Sequence, residues 1–211
     1  MIENIETKRI LIVISSPSGA GKTSVCKKLL ELDSELRASI SVTTRKPRNN
    51  ETDGIDYIFI SKADFDKKIS DGEFLEYANV FNNKYGTLAS STKDLLNKNF
   101  DVLFDIDWQG TQQLSQNNNN ILTIFILPPD KREIERRLKK RETENSENID
   151  IVNERMSKFE DELSHWKEYD YVVTNDNLDK CVSEILNIIN AERKKRIHQK
   201  SLFSKIRNLT K

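Results

Sequence analysis

The apolar run Ile10-Leu-Ile-Val-Ile14 leads at once into Ser16-Pro-Ser-Gly-Ala-Gly-Lys-Thr23, and no other stretch constrains the chain as much. An unbroken apolar run of this kind, here read as a strand over 9–15, suits a strand buried on both faces of a helix-covered parallel sheet. A Gly-bearing turn that opens a helix with Lys-Thr is the layout of a phosphate-binding loop. Successive backbone N–H groups curl around an anion there, and the positive end of the helix dipole points at it. Gly19 and Gly21 permit backbone angles and a close approach that a Cβ would block. Lys22 is placed to reach the outer phosphates of a nucleotide, and the Thr23 hydroxyl to sit on Mg²⁺. The pattern usually begins with Gly, and here that position is Ser16. The competing reading is a plain strand–turn–helix junction with a capping Ser.

A chain of 211 residues is long enough for one domain, or one core with insertions. Its 34 Lys and Arg against 34 Asp and Glu give no global attraction to a polyanion. No apolar run approaches a membrane span, and Met1-Ile-Glu-Asn-Ile-Glu6 has no signal-peptide pattern, so a cytoplasmic protein is expected. Cys26 and Cys181 are isolated, which indicates neither a disulfide framework nor a zinc site. Of the two histidines, His165 and His198, neither sits in a metal-type cluster.

Along the chain, a helix after the loop carries Val25, Leu29 and Leu32 on one face. A strand is predicted over 38–43, and from Thr44 to Gly54 the chain is polar and turn-rich. Short strands are predicted at 57–60 and 74–80, with a helix over 61–70 capped by Ser61, and Asn82-Asn83 reads as a tight turn. The core resumes with Asp101-Val-Leu-Phe-Asp-Ile-Asp107, an apolar strand ending in acids. A helix over 110–116, an asparagine loop and a buried strand over 121–127 follow, the last stopped by Pro128-Pro129. Then come a basic helix over 131–141, a polar break, a helix over 151–167, a strand over 171–173 and a long helix from 178 to about 197. From Arg193 onward the tail is basic and reads as a solvated helix end.

Five further segments occur in order behind the phosphate loop. They are Ser41-Val-Thr-Thr-Arg45-Lys-Pro-Arg48, Gly54-Ile-Asp-Tyr57, Phe74-Leu-Glu76, Tyr85-Gly-Thr87 and Asp105-Ile-Asp107. With these the chain closely resembles the guanylate kinases from about residue 9 to residue 190. The resemblance implies a P-loop kinase fold of α/β class, with a five-stranded parallel core sheet flanked by helices. The core would take 1–40, 95–135 and 161–211, an inserted mixed-β GMP-binding subdomain 41–94, and a helical lid 136–160. It implies Mg²⁺-dependent transfer of the ATP γ-phosphoryl group to GMP and dGMP, giving ADP and GDP for purine salvage and GTP supply. The expected partners are ATP and GMP, with no nucleic acid and no membrane, in a monomer or homodimer.

What the resemblance implies residue by residue follows the chemistry. Ser16, Pro17, Ser18, Gly19, Ala20, Gly21, Lys22, Thr23 and Ser24 would hold ATP, with Arg137 and Asn175. Arg45 and Arg48 would clamp the GMP phosphate, since forked guanidiniums suit bidentate phosphate contact. Tyr57 and Tyr85 would add hydroxyls to it. Glu76 would read the base: guanine offers adjacent N1–H and N2–H donors to one carboxylate, and adenine does not. A buried acceptor left unpaired discriminates far more strongly than a size mismatch. Ser41 and Thr87 would add hydroxyl contacts; the family more often has Ser at the second position. Thr23 and Asp105 would serve the metal. Asp105 and Asp107 are both candidates for that role, and one of them could touch the guanine amino group. Lys22, Arg45, Arg141 and Arg155 would act on the transferred group, the last two from the lid. There the usual Arg-Gly pattern is Arg141-Glu142, and the stretch to Arg155 is longer than usual. In isolation, Arg45 and Arg48 around a Pro also fit a solvated turn, and Glu76 an outward strand position.

Two rivals remain at this stage. A kinase for another small phosphorylated acceptor, such as ribose bisphosphate, would keep the P-loop and lose the base-reading set. A guanylate-kinase-like module that binds phosphopeptides without activity would lose the loop lysine, which is intact here.

Overall fold

The computed structural model describes residues 9–48, 51–80, 82–117, 120–137, 156–199 and 201–210, without the side chains of 201, 203 and 204. The chain begins β1 (Leu11–Ser15), α1 (Lys22–Leu32), β2 (Leu36–Ala38), β3 (Val42–Thr43), β4 (Ile58–Phe59) and α2 (Lys62–Ser70). It continues β5 (Phe74–Val80), β6 (Asn83–Leu88), α3 (Ala89–Asn97), β7 (Asp101–Asp105), α4 (Trp108–Asn117) and β8 (Ile121–Leu127). Residues 131–137 are helical (α5). Then come α6 (Phe159–Ser164), a 3₁₀ turn (His165–Glu168), β9 (Tyr171–Thr174), α7 (Leu178–Arg193), a second 3₁₀ turn (Arg196–His198) and α8 (Ser201–Leu209).

β1 lies at the centre of a five-stranded sheet ordered β2-β7-β1-β8-β9, with every pair parallel. Strand alternation divides its side chains between two helical layers. Ile10, Ile12 and Ile14 pack in one core with Val25 and Leu29 of α1 and Val182, Ile185 and Ile189 of α7. Leu11 and Val13 pack on the other face with Leu96 of α3, Leu114 of α4 and Phe125 of β8. The doubly covered parallel sheet expected from the apolar runs is therefore present. A second, mixed sheet ordered β4-β3-β6-β5 is built from the segment expected as an insertion.

Several local expectations are corrected. The single strand over 38–43 is two strands in two sheets: β2 ends where Ser39 N–H donates to Leu103 O (2.8 Å), and β3 begins the second sheet. The strand over 57–60 shortens to β4. Leu32 is 60% exposed, and Cys26 takes its place in the buried face of α1. α4 starts at Trp108, ahead of the expected 110, because the Asp107 carboxylate accepts the Gly110 N–H (3.0 Å) as an N-cap. The helix expected over 151–167 has its described part broken into α6 and a 3₁₀ turn. β6 and α3 were not anticipated. Ser61 caps α2 as expected, accepting the Asp64 N–H (3.1 Å), and Asn82 adopts φ 64° at the β5–β6 turn.

The basic tail is corrected in part. α7 stops at Arg193, whose Nη1 pairs with Asp33 (2.8 Å) and whose Nε pairs with Asp101 (2.7 Å). The other Asp101 oxygen accepts the Ile10 N–H (2.9 Å), so one buried carboxylate ties α7 to the start of β1. His198 is buried against Glu192 (3.3 Å), while 194–197 and 205–210, the latter mostly in the added helix α8, are exposed, so the solvated reading holds for most of the tail. Removing one member of such a buried network leaves the others uncompensated. Arg193→Ala is expected to lower stability by about 3 kcal/mol in urea denaturation; a loss below about 1 kcal/mol would place the cluster among weak surface pairs.

Candidate functional site

The phosphate loop is held at the carboxyl end of β1. Gly19 (φ 86°) and Gly21 (φ 95°) lie in the left-handed region, as the loop requires, and a Cβ on Gly21 would collide with the Asn175 amide. Ser16 is not among the positive-φ residues, so the usual glycine of that position has no conformational role to fill here. Its hydroxyl donates to Pro17 O (2.9 Å). α1 has no acidic residue in its first turn and no side-chain cap, which leaves its N-terminal N–H groups and dipole available to an anion. Thr23 and Ser24 are exposed at that end. Arg137 Nη1 (3.1 Å) and Asn175 Nδ2 (2.8 Å) both donate to Ala20 O and brace the loop from behind.

Lys22 reaches across to β7. β1 and β7 pair with Ile14 opposite Asp105, which sets the loop lysine beside the end of β7. Lys22 Nζ lies 2.6 Å from Asp105 Oδ1 and donates to Ile106 O (2.9 Å). Burial works against the ammonium, and the Asp105 carboxylate outweighs it, so the lysine stays charged with its pKa above the ordinary value. The Ser15 hydroxyl donates to the same Ile106 carbonyl (2.6 Å). The two acids that the sequence left unseparated thus part: Asp105 holds Lys22, and Asp107 caps α4.

The second sheet supplies the facing wall. In β5 and β6 the register shifts between Phe74 and Glu76, a bulge that sets Glu76 directly opposite Thr87. Glu76 is 3% exposed and Thr87 is fully buried, while the neighbouring Tyr77 and Asn79 face out. The outward reading of Glu76 is therefore overturned. Its carboxylate packs against Gly110 of α4, where any Cβ would collide with Oε2. Among the described residues, neither Glu76 Oε1 nor the Thr87 hydroxyl has a hydrogen-bond partner of good geometry. Burial pushes the Glu76 carboxyl up to about 7; the Asp107 charge adds to this, while the Lys22 charge pulls the other way. A buried carboxylate with a free oxygen is costly unless a ligand pairs with it.

Ser41, buried just before β3, and Arg45, just after it, belong to the same wall. Thr43 of β3 pairs with Tyr85 of β6, and the Tyr57 and Tyr85 rings meet edge to face at 6.1 Å. The Arg45 guanidinium lies over Tyr57, 4.8 Å from the ring centre. Burial raises the Tyr57 pKa, and nearby charges act on it: Asp105 at the end of β7, Lys22 of the loop, and Arg45 just after β3. Tyr57 therefore lies within electrostatic reach of both the loop lysine and Arg45. Arg141 and Arg155 lie outside the described residues.

A protein-family model described as "Guanylate kinase" matches residues 8–192. The chain belongs to the guanylate kinase family. It is 50% identical over 190 residues to the guanylate kinase of Rickettsia prowazekii (strain Madrid E), covering 90% of this chain and 95% of that protein. To the guanylate kinase of Zymomonas mobilis subsp. mobilis it is 45% identical over 201 residues, covering 95% and 92%. The crystal structure of guanylate kinase from Anaplasma phagocytophilum superposes with a TM-score of 0.78 at 33% identity, covering 95% of this chain and 94% of that one.

Three residues of this guanylate kinase family member matter to the site and were missed in the sequence. Glu51 binds Arg45, and its only signal was its place among the polar residues after Arg48. Glu162 of α6 accepts the phosphate-loop N–H of Ser18 (2.8 Å), a contact across 144 residues that no local pattern announces. Gly110 looked like an ordinary early helix residue, and its lack of a side chain is what admits Glu76.

The pH dependence of stability tests the Glu76 environment. A folded-state pKa of about 7 against an ordinary 4.5 means that the folded chain holds the proton more tightly than the unfolded one. That contribution is fully present below the unfolded pKa and is lost as pH rises through 7. Glu76→Gln, which mimics the neutral acid, is expected to gain on the wild type between pH 5 and pH 8, by about 2–3 kcal/mol in urea denaturation. Parallel pH profiles for the two proteins would contradict the buried-carboxyl reading.

Proposed function

We propose that this chain catalyses transfer of the γ-phosphoryl group of ATP to GMP, giving ADP and GDP. The observation that carries the reading is Glu76: a buried carboxylate with one oxygen unpaired, on the wall facing a phosphate loop with its lysine intact. As a carboxylate, Glu76 accepts both N1–H and N2–H of guanine. Adenine presents an acceptor at N1 and leaves the carboxylate unsatisfied. Thr87 opposite Glu76, and Ser41 on the same wall, offer hydroxyls to the base.

Phosphoryl transfer needs placement and cationic stabilisation more than covalent help from the protein. In this proposal the loop N–H groups and Lys22 cradle the ATP phosphates. Arg45 and Arg48, with the Tyr57 and Tyr85 hydroxyls, hold the GMP phosphate. That phosphate is the nucleophile, and with a second pKa of about 6 it is already largely ionised at pH 7, so no general base is required. Arg141 and Arg155 are proposed to approach the triphosphate from 136–160, with 41–94 as the acceptor subdomain and 1–40, 95–135 and 161–211 as the core. Mg²⁺ fits the donors here. It favours oxygen ligands, keeps several waters and takes one or two protein groups together with substrate phosphates. The Thr23 hydroxyl at the head of α1 and the Asp105 carboxylate at the end of β7 would hold it. When bound, it would neutralise charge on the phosphate oxygens.

The test is a panel of nucleoside monophosphates with wild type and Glu76→Gln. Wild type is expected to prefer GMP strongly. In the variant one amide N–H faces a guanine donor, which should cost about 2–4 kcal/mol, or roughly 30- to 1000-fold in kcat/KM for GMP. The ratio of GMP to AMP should fall as well. An unchanged ratio would remove Glu76 from base reading. A wild type that leaves GMP untouched while using another phosphorylated acceptor would overturn the proposed reaction.

A further inference from the structure

Between Arg45 and Arg48 the structure places a third charged group. Glu51 Oε2 accepts Arg45 Nη1 and Oε1 accepts Arg45 Nη2, both at 2.6 Å. Oε2 also accepts the Arg48 backbone N–H (2.9 Å), and Arg48 Nη1 lies 3.4 Å from Oε1. The Arg45 and Glu51 side chains are each only 11% exposed. This is a two-pronged, partly buried pair, the strong form of the interaction. Burial alone would push the Glu51 carboxyl up; the Arg45 fork and the Arg48 N–H outweigh it and hold it at about 2.

The pair fixes the guanidinium on several sides at once. Glu51 takes its Nη1–Nη2 edge, Lys46 O accepts Nη1 (2.9 Å), and the Tyr57 ring lies against its face at 4.8 Å, with Phe59 at 5.6 Å. A guanidinium carries five N–H groups. These contacts use three, and the remaining Nε–H and outer Nη2–H form a second parallel fork of the kind that matches a phosphate. Glu51 therefore holds one edge of Arg45 and leaves a complete edge for an anion. Through the Arg48 N–H it ties the second arginine of the turn to the same carboxylate.

We propose that Glu51 is a positioning residue for the acceptor phosphate, orienting Arg45 so that its open fork faces the phosphomonoester and fixing the turn that carries Arg48 beside it. The inference rests on the reading of this wall as the GMP site. Preorganisation of this kind lowers the entropy lost on binding, and it acts only on ligands that carry the phosphate. Guanosine, which carries the base alone, is the internal control.

The experiment is calorimetric titration of wild type, Glu51→Ala and Glu51→Gln with GMP and with guanosine, alongside the KM for ATP. GMP binding is expected to weaken by roughly 10- to 100-fold in Glu51→Ala and less in Glu51→Gln, which keeps one acceptor oxygen. Guanosine binding and the KM for ATP should stay within about 3-fold of wild type. Tighter GMP binding in either variant would show that Glu51 competes with the phosphate and would overturn the proposal. Equal weakening of GMP and guanosine would reduce Glu51 to a support of the sheet and overturn it too. Should Glu51→Ala not fold, Glu51→Gln decides by the same comparison. If wild type binds AMP as well as GMP, it is the underlying GMP reading that fails, not the role of Glu51.

Discussion

The pairing of β1 with β7 is the constraint on which the site depends. It sets Ile14 beside Asp105, so the loop that leaves β1 closes over the end of β7. Lys22 then finds a carboxylate and the Ile106 carbonyl within reach. A slip of this register would move Asp105 away from the lysine and turn its side chain to the other layer. Both helical layers guard against that slip, because alternate residues of β1 belong to different cores. The same strand end supplies Asp107, which caps α4 and thereby places Gly110.

Gly110 links the core to the second sheet. α4 can approach β5 because it presents a glycine to Glu76 and, one turn on, the amide of Gln113. That amide pairs with both Tyr77 N–H (3.1 Å) and Tyr77 O (2.7 Å), completing the open edge of β5. The bulge at Leu75 turns Glu76 inward against Thr87. Core and insert thus meet at a carboxylate whose burial is unfavourable on its own. A local departure from low-energy design of this sort is expected where a ligand is to be recognised.

Much of this was legible from residue order. The long apolar runs announced β1, β7 and β8, and the Gly-Lys-Thr turn announced the phosphate loop, because both signals are local. β5 was placed over its full length for the same reason. What escaped depends on partners distant in sequence. Glu51 and Gly110 are polar or small residues whose meaning comes from what packs on them. The anchoring of the end of α7 through Arg193 depends on Asp33 and Asp101, far away in the chain. The strand over 38–43 failed because sequence shows extended backbone and not which sheet receives it. Periodicity could not tell the inward Glu76 from an outward one, since the bulge resets the alternation.

The central claim is that Glu76 is held as a buried, proton-hungry carboxyl until a base with two adjacent N–H donors pairs with it. Carboxyl-carbon NMR of selectively labelled Glu76 addresses it directly, titrated without ligand and with saturating GMP. The account predicts a midpoint near 7 in the free protein, as burial dictates, and a midpoint below about 5 with GMP, because two charge-assisted hydrogen bonds favour the ionised form. A midpoint in the ordinary carboxylate range without ligand, or one that GMP leaves unmoved, would contradict it.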